Sequence, residues 1–502
     1  MRLSGIRVTY SGLITFAIGI TSIITGLVFT LIVTRELSAE DLGTWTLIGG
    51  LLVYAVIIEP VISYWTTREI ARGEKSATTS LASSSVLSIV GIVIYFIAAF
   101  FVSAETEIDS GVLYFAVILI PVTFINRVLS AINYGWKAHT ASYGVLIFEI
   151  VKIPLAIIFV YYFEMGVYGA ILAMILSYIG SSIVLAYFVK QKIHDTLSFN
   201  FVKKWFRLFW ISLFPQITNF ILKLDILIFT ILTGSVIGLA YYTVSVTVGS
   251  LVMQSTGISR AVYPKLLSED KREILQENLT RVFYFALPLT AISLTFAQPA
   301  LYALNPIYEI ATVAVLFMTL KMFTTTIFSI FYQASLGIEK VDVNEKSTFR
   351  DYVKSNLFRL PMINIIKSIV YITGLSIILL TSIVGYSDLE LVVFWTLIAF
   401  IVEIPFTLYT YFLVRKNFKL KFNKVPILKY ILATTIIFIP MFFVTKEFLV
   451  YKISIFEFLP QLMIFVGISI GLYLIITYAI DNKTRKLVSL VIKELKDKNK
   501  TS

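Results

Sequence analysis

The sequence predicts an all-α, polytopic membrane protein with about fourteen transmembrane helices. Three observations carry this. The chain has 502 residues and is 58% hydrophobic, where soluble globular domains hold about 45–50%. Its charged fraction is 14%, against about 25% in soluble domains. Apolar runs of about 20 residues, enough to cross a bilayer as helix, recur from one end of the chain to the other.

Taken in order, the first six runs are 10–33, 43–66, 80–103, 111–133, 142–163 and 166–189. The next six are 208–232, 236–258, 282–304, 308–332, 357–383 and 391–414, and the last two are 428–445 and 458–480. The first is too long for the apolar core of a cleavable signal peptide and reads as a spanning helix. Basic residues set the orientation, because loops rich in Lys and Arg stay cytoplasmic. With fourteen spans and the N-terminus inside, 35 of the 42 Lys and Arg fall on inside segments or the inner parts of spans (Arg127, Arg359 and Lys429), 3 outside and 4 deeper within spans. One span more or fewer would scramble that alternation, so both termini are expected to be cytoplasmic, in a plasma membrane. The net charge of +12 then faces the anionic inner leaflet and needs no nucleic acid.

Two segments have the pattern of surface helices. FNFVKKWFRLFW (199–210) leads into span seven, and NKTRKLVSLVIKELKDKNK puts Leu487, Val488, Val491, Ile492 and Leu495 on one face. Both suit the membrane interface, although a solvated helix end would look similar.

An internal repeat organises the chain. FTLIVTRELSAEDLGTWTLIGGLL (29–52) parallels IFTILTGSVIGLAYYTVSVTVGSLV (228–252), with Trp45 falling on Tyr242 at an offset of about 197. Six spans per copy is an even number, so both copies enter the membrane from the same side, as parallel repeats about an axis along the membrane normal. The expected domains are an N-lobe (1–195), a C-lobe (196–415), an appended helix pair (416–480) and a basic tail (481–502). Eight prolines fall inside spans, at Pro60, Pro121, Pro154, Pro215, Pro288, Pro361, Pro405 and Pro440. Each removes a backbone hydrogen bond and favours a kink.

Catalysis finds little support. There is no cysteine, and the two histidines, His139 and His194, lie in polar loops. No phosphate-binding glycine loop and no acidic metal cluster is present. No cofactor, metal or catalytic residue is expected.

Several blocks together resemble one family. RELSAEDLGTWTLIGGLL looks like the first loop and second helix of Wzx-type polysaccharide flippases, within the larger superfamily of multidrug exporters and lipid flippases. SAINYGWKAHTASYGVLIFEIVKIPLAI (130–157) resembles that family's fourth-to-fifth helix junction, and GVYGAILAMILSYIGSSIVLAYF (166–188) its sixth helix. FVKKWFRLFWISLFPQITNF (201–220) is similar to the lead and proline of its seventh, and ISRAVYPKLLSED (258–270) to the stretch after its eighth. The resemblance covers most of residues 1–415, and fourteen spans is the family's usual count; the loop 332–356 departs from the pattern by its length. The resemblance implies a flippase that moves a lipid-linked oligosaccharide by alternating access and acts as a monomer. Its partners would be membrane lipids, the lipid-linked sugar, and glycosyltransferases or a polymerase of the same pathway.

Charges inside the spans are the candidate site. A charge at mid-bilayer costs about 2.5–3.5 kcal/mol on insertion scales, so such residues usually face the bundle interior. They are Glu59 (span two), Glu149 and Lys152 (five), Lys223 and Asp225 (seven), Lys321 (ten), Lys367 (eleven) and Glu403 (twelve), with Arg127 near the inner end of span four. Glu149 and Lys152 are three apart and can satisfy each other. Lys223 and Asp225 are two apart, on nearly opposite helix faces, so each needs a partner elsewhere or a polar cavity. Lys321 and Lys367 have no acid within four residues of their own helix. On the flippase reading Lys223, Lys321 and Lys367 meet the phosphate or pyrophosphate of the substrate as point charges, and Asp225 and Arg127 complete the substrate-binding set. Glu59, Glu149, Lys152 and Glu403 are read as coupling or structural charges. Six tyrosines near outer ends, Tyr161, Tyr162, Tyr241, Tyr242, Tyr302 and Tyr308, fit an interfacial aromatic belt.

Two other readings compete. A cation-coupled multidrug or small-molecule exporter would want a net acidic site, whereas the lone charges of the second repeat are mostly Lys. A membrane glycosyltransferase or polysaccharide polymerase would want a sizeable outer loop with catalytic groups, whereas these are short, as at TGSV (233–236) and NPI (305–307).

Overall fold

A computed structural model describes residues 18, 21, 22, 25–106, 108–193, 196–207, 209–256, 272–337, 353–418, 424–482, 484 and 485. The amphipathic tail from 486 onward, His194, the 258–270 block and most of the 332–356 loop lie outside the described residues, as does the start of span one. The described residues are helical almost throughout. Ten helices are long and apolar enough to cross a membrane, or up to twelve if two sharply bent pairs each count as one span.

Span three shows how such a sequence makes a helix for lipid. In Ala77–Glu105 the buried face carries Ser80, Ser84, Ser88, Gly91, Tyr95 and Ala99. The exposed face carries Val86, Ile89, Val93, Phe96, Ile97 and Phe100. Both rows follow the three-and-four spacing of a helix face. The apolar side faces outward, because hydrocarbon is its solvent. The inner side is small and hydroxylated, which permits close backbone approach and side-chain hydrogen bonds between helices.

The breaks have local causes. Span two is Ala39–Ala55 and Pro60–Ala71, bent by 61°, with Pro60 at the first turn of the second helix, where its missing N–H costs least. Span nine bends by 69° between Leu279–Thr295 and Ala297–Leu304. That break sits at Phe296, eight residues past Pro288, which lies inside a continuous helix. Pro361, Pro405 and Pro440 also lie inside continuous helices. A proline thus marks a break in span two but not in span nine. After Pro154, span five widens into a π-helical turn at Ile157–Tyr162, one way of absorbing a missing hydrogen bond. Span seven is the most fractured. It runs as Phe209–Leu213, a tight turn at Phe214–Gln216 holding Pro215, Ile217–Leu222 and Leu224–Thr233.

The chain forms two compact units. The first comprises residues Met1–Thr243 and Ile372–Leu391, the second Val244–Tyr371 and Val392–Ser502. In the first, spans two and eight cross closely enough that a Cβ on Gly43 would overlap the Val236 carbonyl. Beside this crossing Thr46 Oγ1 and Thr243 Oγ1 lie 2.6 Å apart. In the second, spans nine, thirteen and fourteen share an aromatic core around Tyr284, Phe296, Tyr430, Phe438, Phe458 and Tyr473. Its polar end is closed by Asp481, which accepts from Tyr430 Oη at 2.8 Å and from the Thr484 amide at 3.0 Å.

Candidate functional site

In the first unit, Glu59 sits at the bend of span two, 2% exposed. Ser63, one turn on, donates to its carboxylate. Arg127 Nη1 of span four lies 3.7 Å from its other oxygen, and the Arg127 side chain is about half exposed. The break at residues 56–59 therefore places a buried carboxylate against a cation that still reaches solvent or headgroups.

Glu149 and Lys152 form a buried pair at 2.6 Å along span five. Glu149 also accepts from Thr25 at 2.7 Å and Ser22 at 2.9 Å, both on span one. The Lys152 ammonium lies 5.0 and 5.1 Å from the rings of Phe29 and Phe148. A buried pair is tolerable when further hydrogen bonds satisfy the remaining lone pairs, as they do here. This cluster joins spans one and five.

Lys223 stands at the break of span seven, where it precedes Leu224–Thr233, and it is exposed. Asp225, two residues on, is buried. Its Oδ1 accepts from the Ile226 amide at 2.8 Å, and its Oδ2 accepts from Tyr242 Oη at 3.3 Å. Tyr54, in the last turn before the span-two break, reaches the Phe220 carbonyl at 3.5 Å and stacks edge-on against the Phe220 ring at 4.9 Å. The breaks of spans two and seven are thus neighbours in space, with a cation, a carboxylate and two phenols around them.

In the second unit, Lys367 Nζ and Glu403 Oε1 pair at 2.9 Å, joining spans eleven and twelve, and both are buried. The ammonium also lies 3.9 Å from the Phe328 ring centroid on span ten. Lys367, which has no acid on its own helix, finds one on the next. Lys321 is half-buried on span ten, and its backbone carbonyl accepts from Thr325 at 2.9 Å.

The residues are divided between the two units. Arg127, Glu59, Lys223, Asp225, Glu149 and Lys152 belong to the first unit, whereas Lys321, Lys367 and Glu403 belong to the second. Two concavities in the first unit involve none of them. One, of about 560 Å³, is lined by Glu40, Glu105 and the Gly234–Ile237 turn, and the other by Phe96, Phe100 and Tyr114 among apolar neighbours. No group of three or more metal-ligating side chains occurs among the described residues. The aromatic belt is narrower than expected. Tyr161 and Tyr162 are exposed, but Tyr308 is fully buried, and Tyr242 turns inward to Asp225. Tyrosine position along a helix does not fix which way the ring points.

One charged contact is not evident from the sequence. Glu69, at the end of span two, is 1% exposed and bonds Lys204 Nζ at 2.8 Å. TREIARGEK reads as a solvated loop; the available signal was Trp65, one turn before Glu69 on the same helix face.

No family model matches the chain, and no curated protein sequence does. Solved structures do. A lipid II flippase, MurJ, in an inward closed conformation superposes with a TM-score of 0.64 and 17% identity, covering 95% of this chain and 100% of that one. An inward-facing multidrug resistance transporter of the MATE family, in the MOP superfamily, superposes with a TM-score of 0.57 and 16% identity, covering 81% and 98%. The chain thus has the fold of MOP-superfamily transporters, and these neighbours are transporters and flippases rather than enzymes.

Proposed function

We propose that this chain is a flippase for a lipid-linked oligosaccharide. It carries a polyisoprenyl phosphate or pyrophosphate sugar from the cytoplasmic to the outer leaflet, in surface polysaccharide or glycoprotein biosynthesis. The observation that carries this is the extent of the fold likeness. The last two spans, Lys424–Phe448 and Ile455–Ile480, hold 25 and 26 residues. A flippase match covering 95% of the chain leaves out about 25 residues, too few to omit both, whereas one covering 81% has room to omit them. The appended helix pair therefore goes with the flippase reading, in which it offers the polyisoprenoid tail a lateral seat. Lys223, an exposed cation at a broken helix, supplies a point charge for the phosphate. Two six-span lobes, 1–195 and 196–415, rock about the site with both termini cytoplasmic, and the chain acts as a monomer.

The exporter reading is favoured by the likeness to a MATE multidrug transporter and by the two buried carboxylates Glu59 and Asp225 beside the span breaks, since carboxylates suit a cation. One experiment separates the two. Proteoliposomes carrying wild type or Lys223→Gln are assayed for translocation of a fluorescent lipid-pyrophosphate sugar and, in parallel, for efflux of a cationic dye. The flippase reading expects lipid translocation that falls at least tenfold in Lys223→Gln, with no dye efflux. Dye efflux without lipid translocation overturns it.

A further inference from the structure

The Phe199–Arg207 helix precedes span seven, and its rotation about its own axis is fixed by contacts within the first unit. Trp205 is fully buried and Phe201 stacks on it, ring centroids 6.0 Å apart and planes 21° apart. Lys204 Nζ donates to the buried Glu69 carboxylate at 2.8 Å. Just before the helix, the Ser198 amide donates to Thr79 Oγ1 at 3.0 Å, and Thr78 Oγ1 donates to the Ile193 carbonyl at 2.6 Å. The charge of Lys204 is therefore committed to the protein.

At 100° per residue the remaining positions fall on two arcs. Phe199 and Phe206 share an edge and are exposed, and Phe209 and Trp210, in the next helix, are exposed as well. Asn200, Lys203 and Arg207 form the adjoining arc and are exposed too. Lys190 and Lys192 are exposed at the start of the same segment. Asp195 is the sole acid between residues 190 and 210.

We propose that this helix is a membrane-surface strap whose free edge binds acidic phospholipid, with the aromatic row seated among acyl chains and Lys203 and Arg207 on the headgroup phosphates. Charge complementarity selects the occupant. An aromatic edge bordered by cations, just ahead of the apolar run of span seven, matches the boundary between anionic headgroups and hydrocarbon. Each cation near such a surface is worth on the order of fivefold in affinity of the segment for an anionic membrane. This inference is independent of what the protein transports.

The chain has no cysteine, so single labels can be placed without background. Phe206→Cys and Asn200→Cys are labelled with bimane in the full-length protein. They are reconstituted in phosphatidylcholine–phosphatidylglycerol nanodiscs in which one lipid or the other is brominated. Bimane at 206 is expected to be quenched at least threefold more by brominated phosphatidylglycerol than by brominated phosphatidylcholine. Lys203→Gln/Arg207→Gln, which alters exposed residues alone, should bring that ratio close to one, and bimane at 200 should be quenched weakly by both. Equal quenching at 206 in wild type overturns the headgroup preference. Absence of quenching at 206 places the edge in water and overturns the strap altogether.

Discussion

Thr46 and Thr243 are 197 positions apart in the chain and 2.6 Å apart in space. That spacing is the offset of the internal repeat, so each threonine is the other's counterpart. A residue meeting its own counterpart is what an isologous contact about a twofold requires. Here the two repeat copies, rather than two subunits, supply the partners. The neighbouring approach of Gly43 to the Val236 carbonyl explains why the crossing is tight enough for two hydroxyls to bond.

Removing one hydroxyl should therefore cost more than removing both. Thr46→Val alone takes this contact from Thr243 Oγ1, a loss of about 0.5–1.5 kcal/mol. Thr46→Val/Thr243→Val restores complementarity and should recover most of the loss. Equal melting of single and double variants in detergent would show that the hydroxyls contribute independently. Gly43→Leu should be worse than either, because the overlap is with backbone rather than with a flexible side chain.

Lys367 and Glu403 should couple in the same way and more strongly. Breaking a buried ion pair from one side costs about 3–5 kcal/mol, since the other charge stays buried alone. Lys367→Met and Glu403→Leu should each be strongly destabilised, and the double variant should approach wild type. If Lys367 is a substrate cation, transport by the stable double variant will still be lost. If transport survives in it, Lys367 is a bridge between spans eleven and twelve.

The contrast between these charges shows what was legible. Glu149 and Lys152 could be matched from spacing alone, because three residues of helix place them on one face. Lys367 and Glu403 are 36 residues apart, and their meeting depends on which faces of two helices turn together, which no local pattern encodes. Helix positions followed from apolar run length, since a span needs a fixed thickness of hydrocarbon. The break at Lys223 did not, because ILKLDILIFT is apolar enough on both sides to continue, and what interrupts it is tertiary. Asp225 bonds the next amide and Tyr242, and the Phe220 carbonyl faces Tyr54. Glu69 was hidden for the opposite reason, as a buried acid within a run of charges that resembles a solvated loop.

The Glu149 cluster predicts stability effects. Glu149→Gln keeps the shape but leaves the Lys152 ammonium paired only with a neutral amide and two rings. A loss of about 2–4 kcal/mol in unfolding stability is expected, the lower side of breaking a buried pair, because the rings retain part of the attraction. Glu149→Leu/Lys152→Met should recover it. Should the single variant melt with wild type, the pair is solvated rather than buried.

Asp109 gives the chain an acid-sensitive end. It precedes the Ser110–Phe115 helix and accepts from Tyr168 Oη at 2.8 Å and from the Gly111 amide at 2.8 Å, tying the start of span four to span six. The Tyr168 hydroxyl, and after it the Gly111 amide, hold its carboxyl below the ordinary value of 3.8. A carboxyl whose folded pKa is depressed adds stability that is complete above its unfolded value and is lost as pH falls through the folded one. The melting difference between wild type and Asp109→Ala should therefore be constant from pH 8 to about pH 5 and shrink below about pH 4. The cap survives protonation in part, because a neutral carboxyl still accepts from an amide, so the difference should narrow without vanishing. A difference that begins to close above pH 5 would assign the acid response to another group, and one that never narrows would show that Asp109 acts through its shape and not its charge.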